Sequence, residues 1–246
     1  MNPYETKRYL NEYLLFHYGR RNELCAFSIL PVEFFRFHER IREECLSPLP
    51  KSGKNAGPIR ALDVGCAVGR FTFELARVAH EVVGIDNAKS LIRAAQGIAV
   101  KCSATARIQE SGNEFQTVRP GLPKGTRPER VSFEVGDAQK LHRFARKPFD
   151  IVACINLLCR LPRPSAFLSQ LPGLVRQGGQ LVIASPFSWL PEYTPTREWL
   201  TATDLEERLE PSFRVVRTRD LPFVIREHRR KYQLVVSHVM TFVRRS

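Results

Sequence analysis

The feature that most constrains the fold is a glycine-rich loop between an apolar strand pattern and a helical pattern. Residues 60–64 (RALDV) form a short apolar run, residues 65–69 (GCAVG) form the loop, and residues 70–79 show helical periodicity. The two glycines allow the backbone to turn sharply and to approach a ligand closely. A second apolar run, residues 81–85, ends at Asp86. This order of strand, loop, helix and strand predicts a parallel βαβ unit.

Strand and helix patterns continue to alternate through the rest of the chain. Further strands are predicted at residues 131–135, 149–154, 180–184, 213–219 and 232–243, and further helices at 88–99 and 164–176. We therefore expect an α/β fold, with a doubly wound, mostly parallel sheet of seven strands and helices on both faces. The stretch at about 100–130 is rich in glycine, proline and charge, and it is predicted to be an irregular insertion.

The first 58 residues differ from this pattern. Helices are predicted over residues 3–18, before Gly19, and over residues 31–45. Residues 47–58 have the composition of a linker. We interpret residues 1–58 as an N-terminal helical extension with a linker that serves as a substrate lid, and residues 59–246 as the main domain.

Composition places the chain among ordinary globular proteins of the cytoplasm. It has no run of about 18 apolar residues and no apolar segment at its start, so we expect neither a membrane span nor a secretory signal. The six cysteines form no CxxC pair, which favours reduced thiols and gives no indication of a metal site. We expect a cytoplasmic protein that uses no metal.

The charge leaves two interpretations open. Lys and Arg number 38 against 25 Asp and Glu, a net charge of +13. Such an excess attracts anions, either nucleic acid or small acidic ligands, although it equally fits a basic surface that only aids solubility. The basic residues are spread out, with one dense patch in residues 226–231, and a nucleic-acid binder usually shows a longer basic stripe.

The residues around the loop indicate which ligand it would accept. Asp86, at the end of the second strand, can accept the two hydroxyls of a ribose. Asp63, just before the loop, would repel a pyrophosphate but suits the ammonium of an amino-acid-bearing cofactor. The loop has the form acid-x-Gly-x-x-x-Gly, which is not the GxGxxG of a dinucleotide site.

At this point the sequence resembles the class I S-adenosylmethionine-dependent methyltransferases. Three more segments fit the resemblance: residues 136–138 (GDA) after the third main strand, 149–156 (FDIVACIN) at the fourth, and 177–181 (QGGQL), where glutamine replaces the usual proline. The resemblance implies a Rossmann-like methyltransferase sheet with S-adenosylmethionine as cofactor. It assigns cofactor contacts to Asp63, Gly65, Cys66, Gly69, Asp86, Asn87, Asp137, Ala138 and Asn156. Taken singly, the glycines could only shape a turn, and Asp86 and Asp137 could only cap helices.

Segments outside the cofactor motifs carry a closer resemblance. They are residues 2–6 (NPYET), 12–19 (EYLLFHYG), 157–162 (LLCRLP), 185–195 (SPFSWLPEYTP) and 222–231 (PFVIREHRRK). Together they resemble the 4-mercaptohistidine N1-methyltransferase family of ovothiol biosynthesis, in its stand-alone form. The resemblance implies methyl transfer to an imidazole nitrogen of 4-mercaptohistidine, giving ovothiol A, in a protein that works with a separate sulfoxide synthase and not with a membrane.

Such a reaction needs one ring nitrogen aimed at the methyl group, and an acceptor that holds the proton on the other nitrogen. We expect Asn156, His17 and Tyr193 to be catalytic. Substrate contacts are expected from Tyr13, His17, Tyr18, Glu192, Tyr193, Arg226 and His228, with Arg226 on the α-carboxylate. Tyr4 and Tyr13 would form part of the lid.

Each of these residues also has a purely structural interpretation. Arg226 could be a solvated arginine, His17 a satisfied histidine on a helix face, His228 a turn cap, and the tyrosines part of the core. Glu192 and Tyr193 could simply belong to a packed loop.

Three rival functions are considered. A nucleic-acid methyltransferase would suit the charge, but the sequence after the fourth strand is NLLC rather than the Asn/Asp-Pro-Pro-aromatic motif of enzymes that methylate exocyclic amines. A non-catalytic partner subunit is disfavoured by the intact acidic and glycine positions. A nicotinamide-dependent dehydrogenase is disfavoured by the loop pattern.

Overall fold

A computed structural model describes residues 3–48 and 57–246 of the chain. The part of the predicted linker in residues 49–56 lies outside the described residues. The helices are α1 (Lys7–Tyr18), α2 (Arg21–Leu24), α3 (Phe37–Arg40), α4 (Arg70–Leu75), α5 (Lys89–Lys101), α6 (Pro164–Leu168), α7 (Leu171–Leu174) and α8 (Ala202–Leu209). The strands are β1 (Arg60–Val64), β2 (Glu81–Asp86), β3 (Ala106–Ser111), β4 (Glu114–Val118), β5 (Val131–Val135), β6 (Phe149–Ile155), β7 (Val175–Ser185), β8 (Phe213–His228) and β9 (Lys231–Arg244).

Seven strands form one sheet in the order β5-β2-β1-β6-β7-β9-β8. The first five of these are mutually parallel, β9 runs antiparallel to β7, and β8 runs antiparallel to β9. This confirms the predicted seven-stranded, mostly parallel α/β sheet. The strand order reverses between β1 and β6, and open α/β sheets bind ligands outside the carboxyl ends of the strands at such a point.

Helices cover both faces of the sheet because its central strands are apolar on both sides. Leu62 and Val64 of β1 pack with α6, α7 and α8, and the cluster includes Phe167. Ala61, from the opposite face of β1, lies in a second buried cluster with Phe37 of α3. Alternate residues of one strand thus contribute to different layers.

The N-terminal extension is helical, as predicted, but less regular. The predicted first helix consists of a 3₁₀ turn, Pro3–Glu5, followed by α1, which begins at the Thr6 cap and ends at Gly19. The predicted second helix is broken at Arg36 into a 3₁₀ turn, α3 and a π-helical turn over Ile41–Cys45.

The prediction of an irregular insertion was wrong for residues 106–118. There β3 and β4 pair as an antiparallel hairpin. Its inward residues are Ala106, Ile108 and Val118, which are buried against α1 and α5. The hairpin has only these few apolar residues facing inward. The alternation of apolar and polar residues is therefore too short to indicate a strand in a segment that is otherwise largely polar.

Further predicted boundaries differ from the structure, and the helix expected over residues 70–79 ends at Leu75. The helix expected over residues 164–176 consists of the two short helices α6 and α7, and Val175 already begins β7. The strands β8 and β9 form a hairpin longer than predicted, which extends past the sheet toward the N-terminal extension.

Candidate active site

The loop between β1 and α4 has a conformation that requires glycine. Gly65 and Gly69 have φ angles of +77° and +89°. A Cβ atom at Gly65 would lie 2.9 Å from the Leu157 side chain, and one at Gly69 would lie 2.5 Å from the Phe133 ring. Both glycines are therefore fixed by backbone conformation and by close neighbours.

Asp86 connects this loop to the end of β2. Its Oδ2 accepts the Ala67 N–H at 3.0 Å, and its Oδ1 accepts the Ala88 N–H at 2.9 Å. The Asn87 N–H also hydrogen-bonds to this carboxylate. An ionised carboxylate has about four acceptor positions, so about one remains for another donor. The capping role and the ligand role are therefore compatible. Burial raises the pKa of this half-buried carboxyl, while its backbone hydrogen bonds lower it.

Asp63 lies beneath the loop rather than on its surface. Only 1% of Asp63 is exposed, and its Oδ2 accepts a hydrogen bond of 2.7 Å from the Thr72 hydroxyl. Burial raises the pKa of Asp63 to about 7. Near neutral pH this carboxyl therefore exchanges a proton readily, and a cation nearby would favour its ionised form.

Asn156 follows β6 at the point where the strand order reverses. Its φ angle is +55°, which is uncommon for a residue other than glycine. Its N–H donates to the Ala184 carbonyl at 2.8 Å, and its Oδ1 accepts the Ser237 hydroxyl at 2.6 Å. Strands β7 and β9 thus hold the Asn156 amide in a strained but defined position at the edge of the sheet.

The other predicted cofactor residues lie along the same edge. Cys66 is buried and its N–H donates to the Ile85 carbonyl at 2.9 Å, while Asn87 is exposed. Asp137 is exposed after β5, and its Oδ1 accepts the Gln139 N–H at 2.8 Å. Ala138 is buried beside it. These four residues thus lie in the loops that follow β1, β2 and β5.

Aromatic residues from two distant segments meet above this edge. The Tyr4 ring lies 6.0 Å from that of Tyr13 and 6.5 Å from that of Tyr193. The Arg160 guanidinium lies 5.2 Å from the centre of the Tyr193 ring. Burial raises the pKa of Tyr4 to about 12 and that of Tyr13 well above its ordinary value, so both hydroxyls keep their protons at neutral pH. We call Tyr4, Tyr13, Tyr193 and Arg160 the tyrosine–arginine cluster.

Sequence reasoning missed three residues of this region. Arg160 lies within a segment that carried the family resemblance, but an arginine at this position does not by itself predict a binding role. Glu5 accepts the N–H groups of Lys89 and Ser90, at 2.6 and 3.1 Å, and so caps α5 from a distant part of the chain. Ser237, which fixes Asn156, lies on a strand with no local signal that would indicate the contact.

His17 lies buried against helix α4. Its Nδ1 accepts the Arg70 N–H at 3.3 Å, at the first residue of α4, and its ring lies 4.5 Å from that of His38. Burial and the Arg70 charge lower the pKa of His17 to about 3. A neutral imidazole that accepts a free helix N–H fits the structural interpretation of His17, and its catalytic role stays a prediction.

Tyr18 contacts the glycine loop and also lines a cavity with His17 and His38. It is buried, and its hydroxyl donates to the Val68 carbonyl at 2.7 Å. Because this hydrogen bond joins α1 to the loop, Tyr18 supports the shape of the loop. Its direct contact with substrate stays a prediction.

The structure overturns the expected role of Arg226 on the substrate carboxylate. Only 2% of Arg226 is exposed; its Nη1 donates to the Glu23 carbonyl at 2.7 Å and its Nη2 pairs with Glu110. This arginine joins β8, α2 and β3, so its charge is already compensated within the fold.

The remaining substrate candidates lie at the surface. His228 accepts the Arg230 N–H at 3.2 Å in the turn between β8 and β9, as a turn cap would. Glu192 is exposed in the loop after β7.

Among residues 3–48 and 57–246, no helix is long and apolar enough to span a membrane.

Comparison with known families gives a match at the core of this region. A family model described as "Methyltransferase domain" matches residues 62–183, which run from β1 through most of β7. The matched segment contains the glycine loop, Asp86, Asp137 and Asn156.

Curated relatives match about half of the chain. The ubiquinone biosynthesis O-methyltransferase of Xylella fastidiosa (strain 9a5c) is 29% identical over 126 residues, 51% of this chain and 41% of the relative. The protein of that name from Caulobacter sp. (strain K31) is 26% identical over 148 residues, 59% of this chain and 49% of the relative. The chain thus spans less than half the length of the curated relatives that it matches.

Solved structures match over a larger share of the chain. Magnesium protoporphyrin IX methyltransferase (ChlM) from Synechocystis PCC 6803, with bound SAH, gives a TM-score of 0.61 at 19% identity, covering 99% of this chain and 97% of that one. The N-methyltransferase NodS from Bradyrhizobium japonicum WM9, also with SAH, gives 0.55 at 16% identity, covering 96% and 99%. At such identities the likeness concerns the fold.

Proposed function

Because residues 62–183 form a class I S-adenosylmethionine-dependent methyltransferase domain, we propose that the chain methylates an imidazole nitrogen of 4-mercaptohistidine to give ovothiol A. The observation that carries the proposal is the convergence of segments that resemble the mercaptohistidine methyltransferases. Tyr4 and Tyr13 come from the first two of these segments, Arg160 from the third and Tyr193 from the fourth, and all meet in the tyrosine–arginine cluster.

The residues present fit the cofactor. Asp86 has about one acceptor position left for a ribose hydroxyl, and the φ angles of Gly65 and Gly69 let the loop backbone approach a ligand. Asp63, buried beside Thr72, supplies a negative charge when ionised, and such a charge suits an ammonium group. When bound, S-adenosylmethionine supplies an electrophilic methyl group on a sulfonium.

Asn156 is the residue best placed to control the acceptor ring. Its Oδ1 has two lone pairs, and the Ser237 hydroxyl uses one of them. The other can accept the N–H of an imidazole and so keep the lone pair of the opposite ring nitrogen available for attack. A fixed amide thus selects a tautomer and orients the ring, and positioning is the main requirement of an in-line methyl transfer.

The tyrosines of the cluster are suited to bind and to exclude water rather than to remove a proton. Tyr4 and Tyr13 keep their protons at neutral pH because burial raises the pKa of each hydroxyl. Their rings form an apolar wall, and their hydroxyls act as hydrogen-bond donors. Tyr193 remains a candidate for contact with the ring of the substrate.

A mass-spectrometric methyl-transfer assay tests the proposal, with purified protein, S-adenosylmethionine, and mercaptohistidine beside histidine. We expect a gain of one methyl group on mercaptohistidine, at a ring nitrogen. Asp86→Ala should abolish product, because it removes the acceptor for the cofactor ribose, whereas Asp204→Ala on the distant helix α8 should retain it. Absence of product with mercaptohistidine, from protein that binds S-adenosylhomocysteine, would reject this substrate.

O-methylation of a small molecule is a second candidate, favoured by the curated relatives named for ubiquinone biosynthesis. Those matches cover 51% and 59% of this chain and less than half of each relative. Including a phenolic acceptor in the same assay separates the two: methylation of the phenol and not of mercaptohistidine would favour O-methylation.

A further inference from the structure

The proposed substrate is an amino acid, and its α-carboxylate would bring a negative charge into the site. A cation near Asn156 is the natural partner for that charge, since arginine binds carboxylates with two parallel hydrogen bonds. Arg226 does not serve, because it is buried and paired with Glu110 away from this edge.

Arg160 lies at the right place in the chain and in space. It ends the 3₁₀ turn Leu158–Arg160, which directly follows β6 and Asn156. The intervening Leu157 packs against the glycine loop, where it would contact a Cβ atom at Gly65. The turn therefore places Arg160 beside both the residue proposed to orient the ring and the loop proposed to hold the cofactor.

Neutral groups hold the Arg160 side chain. Its Nη1 donates to the carbonyls of Ser188 and Cys159, at 2.8 and 3.0 Å, and its guanidinium lies over the Tyr193 ring. Tyr4 also hydrogen-bonds to it. These contacts fix the orientation of the guanidinium without neutralising its charge.

The positive charge of Arg160 lacks the carboxylate partner that the buried arginines have. Within the described residues, no carboxylate forms an ion pair with this half-buried side chain, whereas Arg70 pairs with Glu39 and Arg226 with Glu110. A partly desolvated cation is costly unless a counter-charge arrives. One nitrogen is fixed by carbonyls, so the guanidinium still has donors for a bound anion.

We infer that Arg160 is the residue that binds the α-carboxylate of the amino-acid substrate, and that it determines specificity for amino acids over the corresponding amines. The inference rests on the proposed function. Binding the carboxylate at Arg160 and the ring at Asn156 fixes both ends of the substrate and turns one ring nitrogen toward the methyl group. The basic side chain that sets specificity thus belongs to the sheet edge rather than to the basic patch in residues 226–231.

Steady-state kinetics on mercaptohistidine and on its decarboxylated amine test the inference. Wild-type protein should prefer the amino acid by roughly 10- to 100-fold in kcat/KM, the range expected for a hydrogen bond to a charged group. Arg160→Met should lose that preference by raising KM for the amino acid, with kcat/KM for the amine changed little. Arg160→Lys should restore part of it, and Arg163→Met, an exposed arginine nearby, should behave as wild type.

A binding measurement keeps this test separate from that of the proposed function. Calorimetry on protein saturated with S-adenosylhomocysteine compares the two ligands without turnover. Preference for the amino acid that disappears in Arg160→Met supports the inference even if no methyl transfer occurs, in which case only the proposed reaction fails. A preference that persists in Arg160→Met overturns the inference, whether or not the wild-type protein methylates mercaptohistidine.

Discussion

At the scale of single residues, burial decides which side chains can do chemistry. His17 and Asp63 are both buried, and burial shifts their pKa values in opposite directions, to about 3 and about 7. The histidine is neutral throughout the physiological range and serves as a hydrogen-bond acceptor. The carboxyl titrates near neutrality and lies beneath the proposed cofactor loop, so it is the group whose protonation should affect binding.

We expect the affinity for S-adenosylhomocysteine, which carries the same ammonium group, to depend on Asp63 ionisation. Below pH 7 the buried carboxyl is protonated and attracts the ammonium less, so affinity should fall by up to tenfold per pH unit. Calorimetry between pH 5.5 and 8.5 measures this. Asp63→Asn should bind more weakly at pH 8 and show no such slope, while Asp204→Asn should keep it.

Asp63→Asn should weaken ligand binding at pH 8 but increase the stability of the fold at that pH. A carboxyl whose folded-state pKa is raised stabilises the fold below its unfolded pKa, and that contribution is lost as pH rises through about 7. Asp63→Asn removes this loss, so its melting temperature should exceed that of wild type at pH 8 and approach it near pH 4. Equal melting temperatures at pH 8, together with a flat affinity profile in the wild type, would contradict the role given to Asp63.

At the scale of elements, charged contacts between distant segments hold the insertion and the N-terminal extension in place. Glu110 of β3 pairs with the buried Arg226 of β8 and with Arg229. Glu5 caps α5, whose own preceding residue, Ala88, has no capping side chain. The extension and the hairpin therefore belong to the folded unit around the site.

Glu110→Gln should destabilise the protein by about 3 kcal/mol, because it leaves the buried Arg226 without its counter-charge. Urea unfolding measures the loss, and Glu114→Gln on the exposed strand β4 is the matched control, expected to change little. Replacing both partners, Glu110→Met with Arg226→Met, should recover most of the stability. A Glu110→Gln protein as stable as the control would show that the pair contributes little.

At the scale of the whole molecule, the net charge of +13 overstates how many basic side chains are free to bind an anion. The dense basic patch in residues 226–231 includes the buried Arg226. Glu110 also pairs with Arg229, and Glu227 pairs with Lys231. These contacts interrupt what would otherwise be a continuous basic surface, and they favour a small-molecule acceptor over nucleic acid.

We accordingly expect tRNA and duplex DNA to bind more weakly than about 10 µM at physiological salt, the range of non-specific binding, and not to inhibit methyl transfer. Fluorescence anisotropy at several salt concentrations measures this. Submicromolar binding, with a salt dependence equivalent to four or more phosphate contacts, would instead support the nucleic-acid alternative. Arg229→Glu with Arg230→Glu would then show whether the patch is the binding surface.

Local sequence was sufficient for the parallel part of the sheet and the glycine loop. The apolar runs of β1, β2 and β6 predicted the parallel sheet, because buried parallel strands are apolar on both faces. The glycines and Asp86 predicted the cofactor loop, because backbone conformation and hydrogen bonding at such a turn restrict residue type strongly. These features depend on neighbours close in sequence, and the family resemblance that the motifs carry implied S-adenosylmethionine as the cofactor.

Only the tertiary structure decided which charged and polar residues remain free for substrate. Arg226 and Arg160 are the same residue type, both in segments that resemble one family, yet Glu110 neutralises the first and backbone carbonyls hold the second. Likewise, His17 Nδ1 accepts a hydrogen bond from the Arg70 N–H, and Asn156 Oδ1 accepts one from Ser237, 81 residues later. Their partners are distant in sequence, so no local pattern distinguishes a free side chain from a compensated one.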